Sequence, residues 1–449
     1  MLLAAAWKRL LAAVAAVAVI WAAVIWVAPS TPSTAPARPS VAVSVANTSA
    51  PSADTGVMRA VVTSGSPAPG GGYFDQFDVP SQPVVAPVNA RGQVAFYGTV
   101  LHAPVRDGIF LAEAGRITKV AAFGDSLPGG GTLAELGTHP LPALNAAGHV
   151  AFVGDIAGGR ATEGVFLAGQ NGLQPIALAG DDAPGMPAAV LTAFDAPALN
   201  DNDELAFVAT VRRGRDNLDV LYFWNGHRLQ RIVAEGERLL RIGGTMDKIG
   251  EPALNNTGVI AFPATILKGP VLGGIFVAGA RDLRLLLGAG AVVPNGGMIQ
   301  RFSEHLGIDE DGDIVFGAYL SRTDKMYEAV LAIAAAEPIE IAVEGEAAPG
   351  GGRFAGFGPW PTMGSGGATA FIAALDGAAG PLGVFLGTAG DIKRVAVAGE
   401  NISQSEVLGR FALNAVAATG PPGSVTFATI GREKGERTAI YCRCPAAVP

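Results

Sequence analysis

A phrase of the form N-x-x-G-x-V-A-F returns seven times along the chain, its phenylalanine at Phe96, Phe152, Phe207, Phe262, Phe316, Phe371 and Phe427, in steps of 56, 55, 55, 54, 55 and 56 residues. A second phrase, G-V-F-L, keeps the same beat, with Phe110, Phe166, Tyr222, Phe276, Leu331, Phe385 and Tyr441 at its third position. Two registers with one period mark an array of a single supersecondary unit. Such an array leaves no room for a separate domain between about Met58 and Cys444.

One unit reads as a turn-rich stretch Gly180-Asp181-Asp182-Ala183-Pro184-Gly185, then Pro197-Ala198-Leu199-Asn200, Leu205-Ala206-Phe207, Val220-Leu221-Tyr222-Phe223 and Arg231-Ile232-Val233-Ala234, which makes four strands. In Asn145-Ala146-Ala147-Gly148 the asparagine can bond its own backbone two residues on and the glycine supplies a positive φ, so the phrase is a hairpin turn. Strands such as Val150-Ala151-Phe152-Val153 are apolar on both faces, and both faces must be covered. With 49% hydrophobic and 16% charged residues, 61 glycines and 31 prolines, the chain suits short buried strands and tight turns. The expectation is an all-β fold, a seven-bladed β-propeller of four-stranded blades.

The ends of the array bear on closure. Met58-Arg59-Ala60-Val61-Val62 matches a fourth strand, while Thr438-Ala439-Ile440-Tyr441 matches a third, so an N-terminal strand is expected to complete the last blade and remove two open sheet edges. The rival, an open solenoid, wants polar caps that the sequence does not carry.

Ahead of the array, Lys8 and Arg9 precede nineteen uncharged residues, Leu10 to Ala28, with Trp7 and Trp26 near the ends. At about 1.5 Å per residue this is roughly a bilayer core in length, longer than the usual signal-peptide core, and the charge order puts the repeats outside. Residues 1–28 are therefore read as a membrane anchor, with a cleaved signal as the alternative, which would leave the repeats secreted or periplasmic. Residues 29–57, rich in Pro, Ser, Thr and Ala, read as a linker. Residues 58–445 are the repeat domain. A net charge of -8 offers no basic field for nucleic acid. Cys442 and Cys444 are expected as small apolar strand residues, with a labile redox pair or a half-site shared with another chain as alternatives.

Asn89-Ala90-Arg91-Gly92-Gln93-Val94-Ala95-Phe96 and Asn145-Ala146-Ala147-Gly148-His149-Val150-Ala151-Phe152 resemble the repeat of bacterial exported proteins built from tandem N-x-x-G-x-x-A-F units, which carry varied anchors. The resemblance covers nearly all of 58–444 and implies no reaction. Asp203 departs from the glycine of the motif, Asp309 and Gly364 from the asparagine, and an insertion through Pro421 and Pro422 displaces Asn414.

Three groups of residues are candidates for chemistry. A carboxylate follows the glycine after the fourth strand in five units, Asp125, Asp181, Glu237, Glu346 and Glu400, giving an acidic face or else ordinary turn dipeptides. Asp309-Glu310-Asp311-Gly312-Asp313 looks like the start of a calcium loop, but Leu320 stands where a bidentate glutamate is required, and the repeat template explains the segment, as it does Asn200-Asp201-Asn202-Asp203-Glu204. Just before the P-A-L-N phrase the innermost strands carry Val85, Leu141 and Ala196 in early units and Glu251, His305, Trp360 and Arg410 in later ones. These four make one side of a central funnel polar and ligand-binding, or are solvated residues at a channel mouth. No phosphate loop, serine elbow, H-E-x-x-H or C-x-x-C occurs, and no cofactor is expected. The expected function is a non-catalytic, membrane-anchored extracytoplasmic module that binds a protein, peptide or glycan through the loops between second and third strands, such as Leu101 to Asp107. The alternatives are a propeller hydrolase or lyase using Glu251 and His305, and a structural spacer of the envelope.

Overall fold

A computed structural model of the protein describes residues 57–77, 84–136, 141–279, 282–323, 325–402, 407–411, 416–420, 423–431 and 438–444. The apolar run 10–28, residues 29–56 of the linker and Asn414 lie outside them. Among the described residues no helix is long and apolar enough to cross a membrane.

Every repeat becomes one antiparallel sheet, and there are seven, which makes the chain an all-β, seven-bladed propeller. Blade two is typical. Its first strand is split into Thr132–Glu135 and Ala143–Leu144, both pairing with the second strand Val150–Ala157, followed by Glu163–Gly169 and Gly172–Leu178. First strands of successive blades contact one another around the centre. In blade seven the strand Val57–Thr63 pairs antiparallel with Ala439–Cys444, the edge where other blades have their own fourth strand.

The two repeat phrases meet inside each blade. Phe96 lies opposite Phe110, Phe152 opposite Phe166, Phe262 opposite Phe276 and Phe371 opposite Phe385, and all eight rings are buried. Their centroids are 5.8, 5.6, 5.5 and 5.6 Å apart. Aromatic pairs of this kind contribute about 0.5–1.5 kcal/mol beyond area burial. The fifth blade substitutes Leu331 opposite Phe316.

The asparagine of the N-x-x-G turn does more than the sequence suggests. Asn145 Oδ1 accepts from the N–H groups of Ala147 and His149 at 3.1 and 2.9 Å, which closes its own turn. Its Nδ2 donates across the blade boundary to the Asn200 carbonyl at 3.1 Å. The same inter-blade bond runs from Asn89 to Asn145 at 2.8 Å, from Asn200 to Asn255 at 3.0 Å and from Asn255 to Asp309 at 3.0 Å. The Asp309 side chain has no amide hydrogen to give. Its Oδ2 instead accepts from the Gly367 N–H at 3.1 Å, so the direction of the link reverses at the one described turn with aspartate in the asparagine place. The acidic stretch 309–313 is thereby a turn whose leading carboxylate is filled by amide donors, Asp311 and Asp313 included.

Cys442 and Cys444 are joined as a disulfide within the last strand, with Cα atoms 5.4 Å apart. This replaces the expectation of two simple apolar residues. Both side chains are buried on one face of the strand, as the two-residue period requires.

Candidate functional site

The first strand is interrupted in blades four and six, between Thr245–Ile249 and Ala253–Leu254 and between Arg353–Phe357 and Thr362–Met363, and in blade five the strand Met298–Ile308 shifts register between Phe302 and Leu306. Glu251, His305 and Trp360 occupy this place in blades four, five and six. They form a row: Glu251 Oε2 is 3.3 Å from His305 Nδ1, and the His305 ring stacks on Trp360 with centroids 3.2 Å apart and planes 13° apart. The 3.3 Å approach is within ion-pair reach but misaligned for a hydrogen bond, so the buried Nδ1 makes none within the chain.

Arg410 stands in another register. It pairs with Ile430, three residues beyond Phe427, as Arg301 pairs with Tyr319, three beyond Phe316. The insertion moves the blade-seven turn to Gly420, whose N–H donates to the Ser424 carbonyl, so Val416 is the counterpart of Glu251. Arg410 is thus the counterpart of Arg301, and it is exposed.

A cavity of about 660 Å³ opens between blades four and five, with Asp219 and Asp195 of blade three at its edge. Blade four contributes Lys248, Glu251, Thr265, Leu272 and Gly273, and blade five contributes Gln300 to His305. Arg301 holds its guanidinium over the Tyr319 ring at 4.4 Å. Two hydroxyls on the wall are committed to structure. Ser303 Oγ donates to the His305 carbonyl at 2.7 Å and accepts from the Gly317 N–H at 3.0 Å. Thr265 Oγ1 donates to Asp247 at 2.8 Å and accepts from the Lys248 N–H at 3.0 Å. Neither is positioned to lose its proton to His305, which an activated nucleophile requires.

Sequence reading missed a repeated carboxylate in the first half of the third strand. Three residues before the third position of the G-V-F-L phrase stand Asp107, Glu163, Asp219 and Glu328. The structure shows why the position matters. Glu163 Oε1 accepts from the Phe194 N–H of the next blade at 3.2 Å, and Glu328 Oε2 accepts from the Phe357 N–H of its next blade at 2.9 Å. Burial raises Glu163 to about 7, against the lowering effect of the Phe194 N–H, and the charges of Asp155 and Asp195 add to the rise. Asp155 is raised by burial and by Glu135. Asp107 is raised by burial, with Arg106 opposing.

Four of the five turn carboxylates are engaged locally. Asp125 Oδ2 accepts from the Ala122 N–H and Oδ1 meets Lys119 at 2.5 Å. Asp181 meets Arg160 at 2.7 Å, Glu237 meets Arg231 at 2.6 Å and Glu400 meets Arg394 at 3.5 Å. Glu346 is exposed at its turn. Cations six residues upstream, Lys119, Arg231 and Arg394 on their fourth strands, and Arg160 in the hairpin between second and third strands of blade two, offset much of the charge that the spacing alone would place on this end of the blades.

Among solved structures, the fold is similar to an oligogalacturonate lyase in complex with manganese (11% identity, 86% of this chain and 97% of that one, TM-score 0.46). It is also similar to the Pyrococcus horikoshii acylaminoacyl peptidase (10% identity, 77% and 49%, TM-score 0.45) and to the polysaccharide lyase Uly1 (10% identity, 81% and 90%, TM-score 0.45). No curated protein matches the sequence. The model of a family of unknown function (DUF7453) matches residues 102–273 and 268–442, and the chain belongs to that family.

Proposed function

We propose that the chain is a non-catalytic binding module, tethered to the membrane through residues 10–28 with its propeller outside the cytoplasm, and that its ligand, a protein, peptide or glycan, enters the cavity between blades four and five. The cavity carries this reading. It is held by strands of two blades, mixes charged and apolar walls, and falls within the roughly 300–1,000 Å³ common for ligand sites. Leu272, in the hairpin between the second and third strands of blade four, lines it and is exposed, as a docking partner would require. The committed hydroxyls of Ser303 and Thr265 favour binding over hydrolysis.

The second reading, a hydrolase or lyase, draws on the Glu251 and His305 pair, which has the spacing of a base and its orienting partner. A pull-down from solubilised membranes with the intact chain and with Glu251→Gln/His305→Ala separates the two. A partner captured by the wild-type chain and released unchanged supports the binding module. A partner or glycan that is consumed by the wild-type chain and survives with the variant refutes it in favour of the enzyme.

Closure of the ring by Val57–Thr63 belongs to the same proposal. A cavity between two blades keeps its width only if the blades cannot splay, and a completed outer strand in blade seven serves that end.

A further inference from the structure

The repeats allow the molecule to be compared with itself. Between blades two and three, and between blades five and six, a carboxylate of the third strand, Glu163 or Glu328, crosses the cleft to a backbone N–H of the next first strand, that of Phe194 or Phe357. In blade four the corresponding residue is Gly273, and the cleft beyond it is the 660 Å³ cavity. Phe302 of blade five stands in the register of Phe194 and Phe357: Phe302 pairs with Ala318, Phe194 with Ala209 and Phe357 with Ala373, each two residues past the repeat phenylalanine. Phe302 lines the cavity. The place of a carboxylate is therefore present, together with its backbone donor, and the chain does not fill it.

The vacancy is built into the backbone. A Cβ at Gly273 would lie 2.7 Å from the Ala264 carbonyl oxygen, so no acidic residue fits there without moving the second strand. Exposed cations, Lys248 and Arg301, line the cavity and favour an anion. Asp219, Glu251 and Glu304 line it too and would repel a purely anionic ligand, which selects one carrying positive charge away from its acid group.

Resting on the reading of this cavity as a ligand site, we propose that it takes the C-terminal carboxylate of a short peptide, held by the Phe302 N–H in the place that Glu163 and Glu328 fill elsewhere, with the peptide's amino end or a basic side chain toward the acidic wall. Apolar side chains of the peptide rest on Leu272, which lines the cavity and is exposed. Peptides unite these three chemistries in one molecule of the right size, and recognition of a terminal carboxylate by backbone donors is a known mode.

The test uses the full-length chain in detergent with two probes, a random tetrapeptide mixture with free carboxyl ends and the same mixture amidated at its C-termini, read by affinity selection and mass spectrometry. Free-acid peptides enriched in Lys or Arg should be retained, with amidation weakening them about tenfold or more, the equivalent of one charge-assisted hydrogen bond. Equal retention of both mixtures overturns the carboxylate assignment and leaves the binding module standing. Retention of neither also overturns it, and the membrane pull-down then decides whether the binding reading fails with it. Because the change is made in the ligand, no variant of the protein has to fold.

Discussion

Replacing Glu163 by glutamine should stabilise the protein at alkaline pH and leave it nearly unchanged in acid. The carboxyl is raised from 4.5 to about 7, chiefly by burial, with Asp155 and Asp195 adding repulsion. A carboxyl whose pKa is higher folded than unfolded contributes its full stabilisation below the unfolded value and loses it as pH rises through the folded one. For Glu163 that window runs from about 4.5 to about 7. The full difference corresponds to about 3.4 kcal/mol at about 1.36 kcal/mol per pH unit. The side chain is only half-buried, and solvent screening cuts this to about 1–2 kcal/mol. Glutamine keeps an oxygen for the Phe194 N–H and removes the charge. Urea unfolding of wild type and Glu163→Gln, followed by tryptophan fluorescence at pH 5 and pH 8, should show the variant ahead by about 1–2 kcal/mol at pH 8 and within about 0.5 kcal/mol at pH 5. A variant equal to or weaker than wild type at pH 8 would refute the reasoning, since it would mean that the ionised carboxylate is well solvated or paired.

The inter-blade asparagine bonds predict that Asn145→Ala, which strands two backbone N–H groups and one carbonyl, lowers stability by about 2–4 kcal/mol in the same urea assay; a loss under about 0.5 kcal/mol would show that water replaces the amide. Asn145→Asp keeps the turn acceptors but loses the donor to Asn200 and sets a carboxylate beside Asp203, so it should be destabilised as well, in contrast to the native Asp309, which is matched by the Gly367 N–H. Truncating Phe262, fully buried against Phe276, should cost about 3–5 kcal/mol, measured as a shift in the unfolding midpoint. Deleting residues 1–63 should lower the melting temperature and promote self-association through the bared edge of Ala439–Cys444, seen in light scattering; an unchanged, monodisperse protein would remove Val57–Thr63 from any role in closing the ring.

The period and the two phrases were enough to derive seven four-stranded blades, because strand periodicity and turn chemistry are local and the repeat multiplies a weak signal sevenfold. The asparagine turn was legible for the same reason: Asn145 and its two acceptor bonds lie within five residues of sequence. Its third bond, to a carbonyl 55 residues away, was not, since nothing in one repeat states which neighbour it meets. Glu251, His305 and Trp360 were found by matching positions, and the fold brings them into one row. Arg410 was matched by counting residues back from Asn414, and the insertion before Phe427 shifts that count, as only the hydrogen bonds of the displaced turn reveal. The carboxylates at Asp107, Glu163, Asp219 and Glu328 were periodic in the sequence all along, yet their meaning depends on the next blade offering an N–H at the right height. The cavity is the clearest case. Gly273 is one glycine among 61, and it marks an opening only because packing sets it opposite Phe302, where its neighbours in the ring have a side chain to spend. Local chemistry thus determined the blade, and the contact between blades, a property of distance in space rather than along the chain, decided where a ligand has room.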